Sequence, residues 1–186
     1  TSTFDSNAEG WTIYGSATDI WHSSGSGGYI GFAETVLVSY FYHSYEAPDT
    51  WDGNWTSNTN QAITVDASWF ATESIGIPLV IVNISSDTGG SMHLGQYYNA
   101  SGWNTLTFTL DPAQFTIDSG NFANILADVD NFNIWIERPG GQITGYSIET
   151  AIDNVSIPYA PTTAPVPIPP AILLLGSGLI GIWGVR

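Results

Sequence analysis

Thr105-Leu106-Thr107-Phe108-Thr109-Leu110 alternates a hydroxyl-bearing β-branched residue with a large apolar one at every step. Successive side chains of a strand point to opposite faces, so this stretch sets Leu106, Phe108 and Leu110 against a core and three threonines against solvent. Ile63, Val65, Ala67 and Trp69 alternate with Thr64, Asp66 and Ser68 in the same way. The run 79–84 is apolar on both faces, the pattern of a strand in the middle of a sheet. Shorter β-branched and aromatic runs at 11–14, 29–33, 36–42, 92–98, 132–136 and 151–157 are separated by Gly, Asn, Asp and Ser clusters. One segment departs from period two. In 121–130 the apolar residues Phe122, Ile125, Leu126 and Val129 fall at i, i+3, i+4 and i+7, predicting one short helix across an end of the fold. Many short strands with one small helix predict an all-β, two-sheet jelly-roll sandwich.

Composition narrows the function. The chain of 186 residues has 17 carboxylates, two basic residues and no lysine, for a net charge of -15. Nucleic-acid binding requires a basic footprint to neutralise phosphates, so it is excluded, and anionic lipid surfaces are disfavoured. Such charge density makes compact packing self-repulsive, and bound divalent cations would relieve it. Without cysteine there is neither a disulfide framework nor a thiolate metal site. A start at Thr1 and a surface rich in Ser, Thr, Asn and Gly are read as the mature form of a secreted bacterial protein, extracellular or at the cell surface.

The composition shifts after Pro158. Five of the residues 161–170 are proline, which predicts an extended, semi-rigid spacer. Residues 171–185 carry no charge and as a helix would be about 22 Å long, short of a normal bilayer span. The expected organisation is a sandwich over 1–158, a Pro-rich linker over 159–170 and a hydrophobic C-terminal helix over 171–186. Ser177, Gly181 and Gly184 fall at i, i+4 and i+7 and give that helix one smooth face for close helix contact. Ala171, Leu174, Ser177, Gly178, Gly181, Trp183 and Gly184 are therefore the candidate assembly or membrane residues. Self-association is expected through them, with transient membrane contact via 171–185.

Two stretches resemble known families. Val166-Pro167-Ile168-Pro169-Pro170 with Gly176-Ser177-Gly178-Leu179-Ile180-Gly181 resembles the PEP-CTERM class of C-terminal sorting signals, carried by exported proteins of bacteria that make extracellular polysaccharide. It departs from that class in lacking the glutamate and in ending on a single Arg186. Phe4-Asp5, Glu9-Gly10-Trp11, Gly27-Gly28-Tyr29-Ile30, Ala47-Pro48, Trp51-Asp52-Gly53-Asn54 and Ile152-Asp153-Asn154-Val155 resemble, in order, the segments of a laminin B-type module. That group is a jelly-roll relative of carbohydrate-binding domains. The resemblance implies one structural Ca²⁺ where the first and last strands meet, with Asp5, Glu9 and Asp153 in the corresponding segments; Ca²⁺ takes six to eight oxygen ligands.

Other chemistry finds little support. A glycosidase needs two carboxylates facing each other across a cleft, and Asp128 and Asp130 have no evident partner. His22, His43 and His93 are scattered, with neither metal-ligand spacing nor a nucleophile elbow. The segment 49–54 lacks the spacing of a calcium loop and reads as a wide turn with aromatic anchors. Trp11, Trp69 and Trp135 are expected in the core. Trp51, Trp55, Tyr97, Tyr98 and Trp103 lie in or near loops, where flat rings can stack on sugars. The primary expectation is a non-enzymatic surface or extracellular-matrix structural protein that self-assembles, as a filament or other homo-oligomer, through its C-terminal helix. The alternative is a carbohydrate-binding module that retains extracellular polysaccharide, with the tail as a sorting or anchoring signal.

Overall fold

The computed structural model describes residues 1–5, 7–14, 21–24, 27–36, 42–71, 77–98, 102–137 and 146–157. The Pro-rich linker and residues 171–186 lie outside them, as does Arg138. The strands are β1 (Thr12–Tyr14), β2 (Trp21–Ser24), β3 (Gly27–Val36), β4 (Tyr42–Glu46), β5 (Ala62–Ala71), β6 (Leu79–Ser86), β7 (Gly90–Tyr97), β8 (Gly102–Thr109), β9 (Thr116–Gly120), β10 (Asn131–Glu137) and β11 (Tyr146–Ser156), with one helix, α1 (Phe122–Ala127). They form a six-stranded sheet in the order β1-β4-β10-β6-β7-β9 and a five-stranded sheet in the order β2-β3-β11-β5-β8, antiparallel at each pairing. The architecture is the expected jelly-roll sandwich.

Period-two alternation decides which residues enter the core. On β5 Ile63, Val65, Ala67 and Trp69 are buried, and on β8 Leu106 and Phe108 meet them. From the other sheet come Val80, Val82 and Ile84 of β6 and Phe132, Ile134 and Ile136 of β10. β6 lies between β10 and β7, the interior position its two-sided apolar run requires. Phe132 anchors one end of the core: it stacks on Trp51 at 5.7 Å and 5°, meets Trp11 edge-on at 6.0 Å, and lies 5.6 Å from Trp55.

Helix α1 begins where Asn121 accepts a hydrogen bond from the Asn124 amide, which satisfies an otherwise orphan donor. It buries Ile125 and Leu126. A polar tie also crosses the core. Thr150 of β11 is fully buried, and its Oγ1 lies 2.5 Å from His43 Nδ1 and 2.6 Å from Tyr45 Oη, both on β4 of the opposite sheet. Burial pushes the Tyr45 hydroxyl pKa far up, so the group acts only as a neutral hydrogen-bonding partner.

Three differences from the sequence reading have local causes. Of the strand expected over 36–42, Val36 belongs to β3 in the five-stranded sheet and Tyr42 to β4 in the six-stranded sheet, and residues 37–41 lie outside the described ones. β2, β4 and β9 are too polar to read as strands; β9 is an edge strand, exposed at every residue, and pairs only with β7. Trp135 is half-buried on the outer face of its sheet rather than in the core, because Phe132, Ile134 and Ile136 take the inward positions of β10.

Candidate functional site

The outer face of the five-stranded sheet carries aromatic rings where alternation calls for polar residues. On β5 the outward set is Thr64, Asp66, Ser68 and Phe70, and Phe70 is 59% exposed. On β8 it is Trp103, Thr105 and Thr107, with Trp103 48% exposed. On β3 Tyr29 points outward and pairs across strands with His22 of β2, their rings stacked at 5.1 Å and 20°.

These rings converge over a floor of small residues. Ala151 of β11 sits between Gly31 and Ser68, and Ser68 pairs with Trp103. A Cβ built on Gly31 would stand 3.0 Å from the Ala151 methyl and 3.1 Å from the Tyr29 ring, so Tyr29 lies directly over the glycine. Trp103 reaches Tyr29 edge-to-face, 5.5 Å between centroids at 71°. Together the two rings cover Ala151, which stands in an outward position yet is 2% exposed. Burial, and after it the charge of Glu149, push the Tyr29 hydroxyl above its ordinary pKa.

A group of carboxylates lies along the same sheet. Asp153 of β11 is the register partner of Asp66 on β5, and the register shifts between Asp153 and Ser156. The N-terminal segment is held here by the Ser2–Val155 bridge. Phe4, Glu9 and Asn154 have φ of 53°, 51° and 47°, the left-handed region that disfavours side chains. Glu9 ties that bend by accepting a 3.0 Å hydrogen bond from the Phe4 amide. Burial first, then the charges of Asp66, Asp5 and Glu9, push the Asp153 carboxyl up; its bond from the Asn154 amide acts the other way. The three candidate calcium residues Asp5, Glu9 and Asp153 are thus near enough to interact, with Asp66 as a fourth that the sequence did not single out. Among the described residues, no three acidic or histidine side chains are closed around a point where a metal ion would sit.

The remaining sugar-stacking candidates scatter. Trp55 is 1% exposed and its indole N–H donates to the Trp51 carbonyl at 2.8 Å; Tyr98 is 5% exposed. Burial leaves neither ring a flat exposed face for a sugar, a correction to their reading as loop aromatics. Trp51 is half-buried against Phe132 and lines a cleft of about 160 Å³ with Thr1, Thr50, Trp55 and Ile157. The segment 49–54 forms a wide turn, with a 3-10 turn at Asp49–Trp51 and Gly53 bridged to Val129. Tyr97 is 62% exposed, but β7 places it on the outer face of the other sheet, away from Trp103. Only Trp103 joins an aromatic cluster open to solvent. Its companions Tyr29 and Phe70 were legible only as rings at polar-face positions.

Among the described residues no helix is long and apolar enough to cross a membrane. No protein-family profile matches the chain, and no curated protein matches it. Among solved structures it is similar to the L4b domain of human laminin alpha-2, at 14% identity and a TM-score of 0.48 over 62% of this chain and 69% of that one. It is also similar to the family 11 carbohydrate-binding module of a cellulosomal cellulase of Clostridium thermocellum, at 18% identity and a TM-score of 0.46 over 82% of this chain and 89% of that one. A second structure of that module, in complex with a β-1,3-1,4-mixed-linked tetrasaccharide, matches at 18% identity and a TM-score of 0.45 over 78% of this chain and 86% of that one. Likeness of this degree assigns no ligand to the chain.

Proposed function

We propose that this chain is a non-catalytic carbohydrate-binding protein of the bacterial cell exterior, holding polysaccharide on the outer face of its five-stranded sheet. The observation that carries the reading is the joined pair Tyr29 and Trp103, roofing a floor of Gly31, Ala151 and Ser68, with Phe70 exposed beside it. Large rings on a polar strand face sacrifice burial that the core would otherwise gain, and flat exposed rings suit the apolar faces of sugars. Calcium at Asp5, Glu9 and Asp153 belongs to the same proposal. Its support is the raised Asp153 carboxyl, pushed up by burial first and then by the charges of Asp66, Asp5 and Glu9; a bound cation would relieve that repulsion, and Asp66 adds a fourth carboxylate.

Display at the cell surface follows from the sequence of the C-terminal segment. Residues 171–185 are uncharged, and Ser177, Gly181 and Gly184 give a smooth face for contact with further copies or with a sorting machinery. The domain is the binding element in this reading, and the tail tethers or assembles it. Co-sedimentation of the full chain with a panel of insoluble polysaccharides tests the proposal. At least one neutral or cationic polysaccharide should retain the protein, and Trp103→Ala should release it while Tyr97→Ala does not. Equal retention of both variants with wild type, or no retention on any polysaccharide, sinks the proposal.

A further inference from the structure

We infer that the outer face of the five-stranded sheet is built for a cationic glycan, an amino-sugar chain with free ammonium groups, one of which sits between Glu149 and the rings of Tyr29, Phe70 and Trp103. This rests on the carbohydrate-binding reading and goes beyond it by naming the class of sugar. Glu149 faces outward on β11, and its register partners are Phe70 on β5 and Ala33 on β3. Two residues along the same strand, Ala151 is roofed by Tyr29 and Trp103. One carboxylate therefore has an exposed ring directly across from it and two more over the next outward position. The Glu149 charge reaches the Tyr29 hydroxyl strongly enough to raise its pKa, which places the two groups within electrostatic range.

No lysine or arginine stands among the described residues to answer that charge; the titratable nitrogens on this face are those of His22, stacked on Tyr29, and the His93–Asp118 pair is on the other sheet. An aromatic face carries negative charge density at its centre and attracts an ammonium group, and a neighbouring carboxylate reinforces the attraction. A uronic-acid or sulfated chain meets repulsion from Glu149 and from a chain of net charge -15. A neutral chain stacks on the rings but leaves the carboxylate without a partner. The floor of Gly31, Ala151 and Ser68 offers a single side-chain hydroxyl, so charge rather than a hydrogen-bond pattern distinguishes ligands here.

The test is calorimetric titration of the full chain with a fully deacetylated glucosamine hexamer and with its N-acetylated counterpart, at mildly acidic pH and at two salt concentrations. Wild type should prefer the amine form by about tenfold, and added salt should reduce the preference. Glu149→Gln should bring the two ligands to within about threefold of each other, and Trp103→Ala should weaken both. Glu137→Gln, the same change of charge on β10 of the opposite sheet, controls for diffuse attraction between a polyanion and a polycation. If it reduces the preference as much as Glu149→Gln does, no ammonium site exists at Glu149. Equal wild-type affinity for the two hexamers overturns the amino-sugar inference and leaves carbohydrate binding standing. Binding of neither hexamer overturns the inference, and binding of no polysaccharide in the sedimentation panel removes the reading beneath it.

Discussion

Acidification from about pH 7 to about pH 5 should weaken the fold through His43. This residue is 3% exposed on β4, with Nδ1 2.5 Å from the buried Thr150 hydroxyl of the opposite sheet. Burial lowers its pKa from 6.5 to about 3. In the unfolded chain the ring regains its ordinary pKa and takes up a proton that the folded state refuses. The folded pKa lies below the unfolded one, so this contribution to stability is intact above 6.5 and declines as the pH falls towards 3. Each pH unit in that window removes about 1.4 kcal/mol, so about 2 kcal/mol is lost by about pH 5. That is a large share of the roughly 5–15 kcal/mol that holds a typical domain together. Asp52 and Asp153 act in the opposite sense, because their carboxyls are raised in the folded state. Ionising them opposes folding at neutral pH, and relief comes as the pH falls through their raised values. Urea titrations at closely spaced pH values should show the loss in wild type and a flatter profile in His43→Gln. A wild-type free energy that stays constant from about pH 7 to about pH 5, or an unchanged slope in the variant, refutes the reasoning.

Other perturbations read other parts of the structure. Gly120 has φ of +75°, and a Cβ there would stand 1.8 Å from the Gly89 carbonyl oxygen. Gly120→Ala should therefore destabilise by about 2–4 kcal/mol in thermal melts, through both strain and the clash. Asp153→Asn should raise the melting temperature in chelator by removing a repelled charge, and should abolish any stabilisation by calcium; a calcium response that survives it displaces the proposed ligand set. Phe132→Ala should cost about 3–5 kcal/mol in urea denaturation, because the rings of Trp11, Trp51 and Trp55 all rest on it. Deleting residues 166–186 should leave the near-ultraviolet spectrum of the sandwich intact and remove high-mass species in light scattering. Oligomers that persist after the deletion exclude self-association through the tail.

The sandwich was legible wherever a strand has one dry face. Thr105 to Leu110 and Ile63 to Trp69 carry their orientation in their alternation, and the helical spacing of Phe122, Ile125, Leu126 and Val129 located α1. The signal fails on polar or short strands such as Tyr42–Glu46 and Thr116–Gly120, whose pairing is fixed by neighbours distant in sequence. The acidic residues Asp5, Glu9 and Asp153 were nameable only through the resemblance to a laminin B-type module, which implies a cation where the first and last segments meet. Asp66 was missed because only strand register brings β5 opposite β11. The aromatic site was half legible: loop position suggested Trp51, Trp55 and Tyr98, but packing against Phe132 and beneath the sheets takes the last two inside. The informative signal was a ring where alternation predicts a polar residue. Phe70 follows Thr64, Asp66 and Ser68, and Trp103 precedes Thr105 and Thr107.

The most direct test of the binding face is fluorine NMR of the full chain labelled with 5-fluorotryptophan, titrated with a polysaccharide fragment that the protein retains. The resonance absent from Trp103→Phe identifies Trp103. The account predicts that this signal moves with ligand while those of Trp51, Trp55 and Trp69 stay in place. A stationary Trp103 signal alongside a shifting Trp51 signal would instead place the ligand in the cleft at the end of the sandwich and contradict the account.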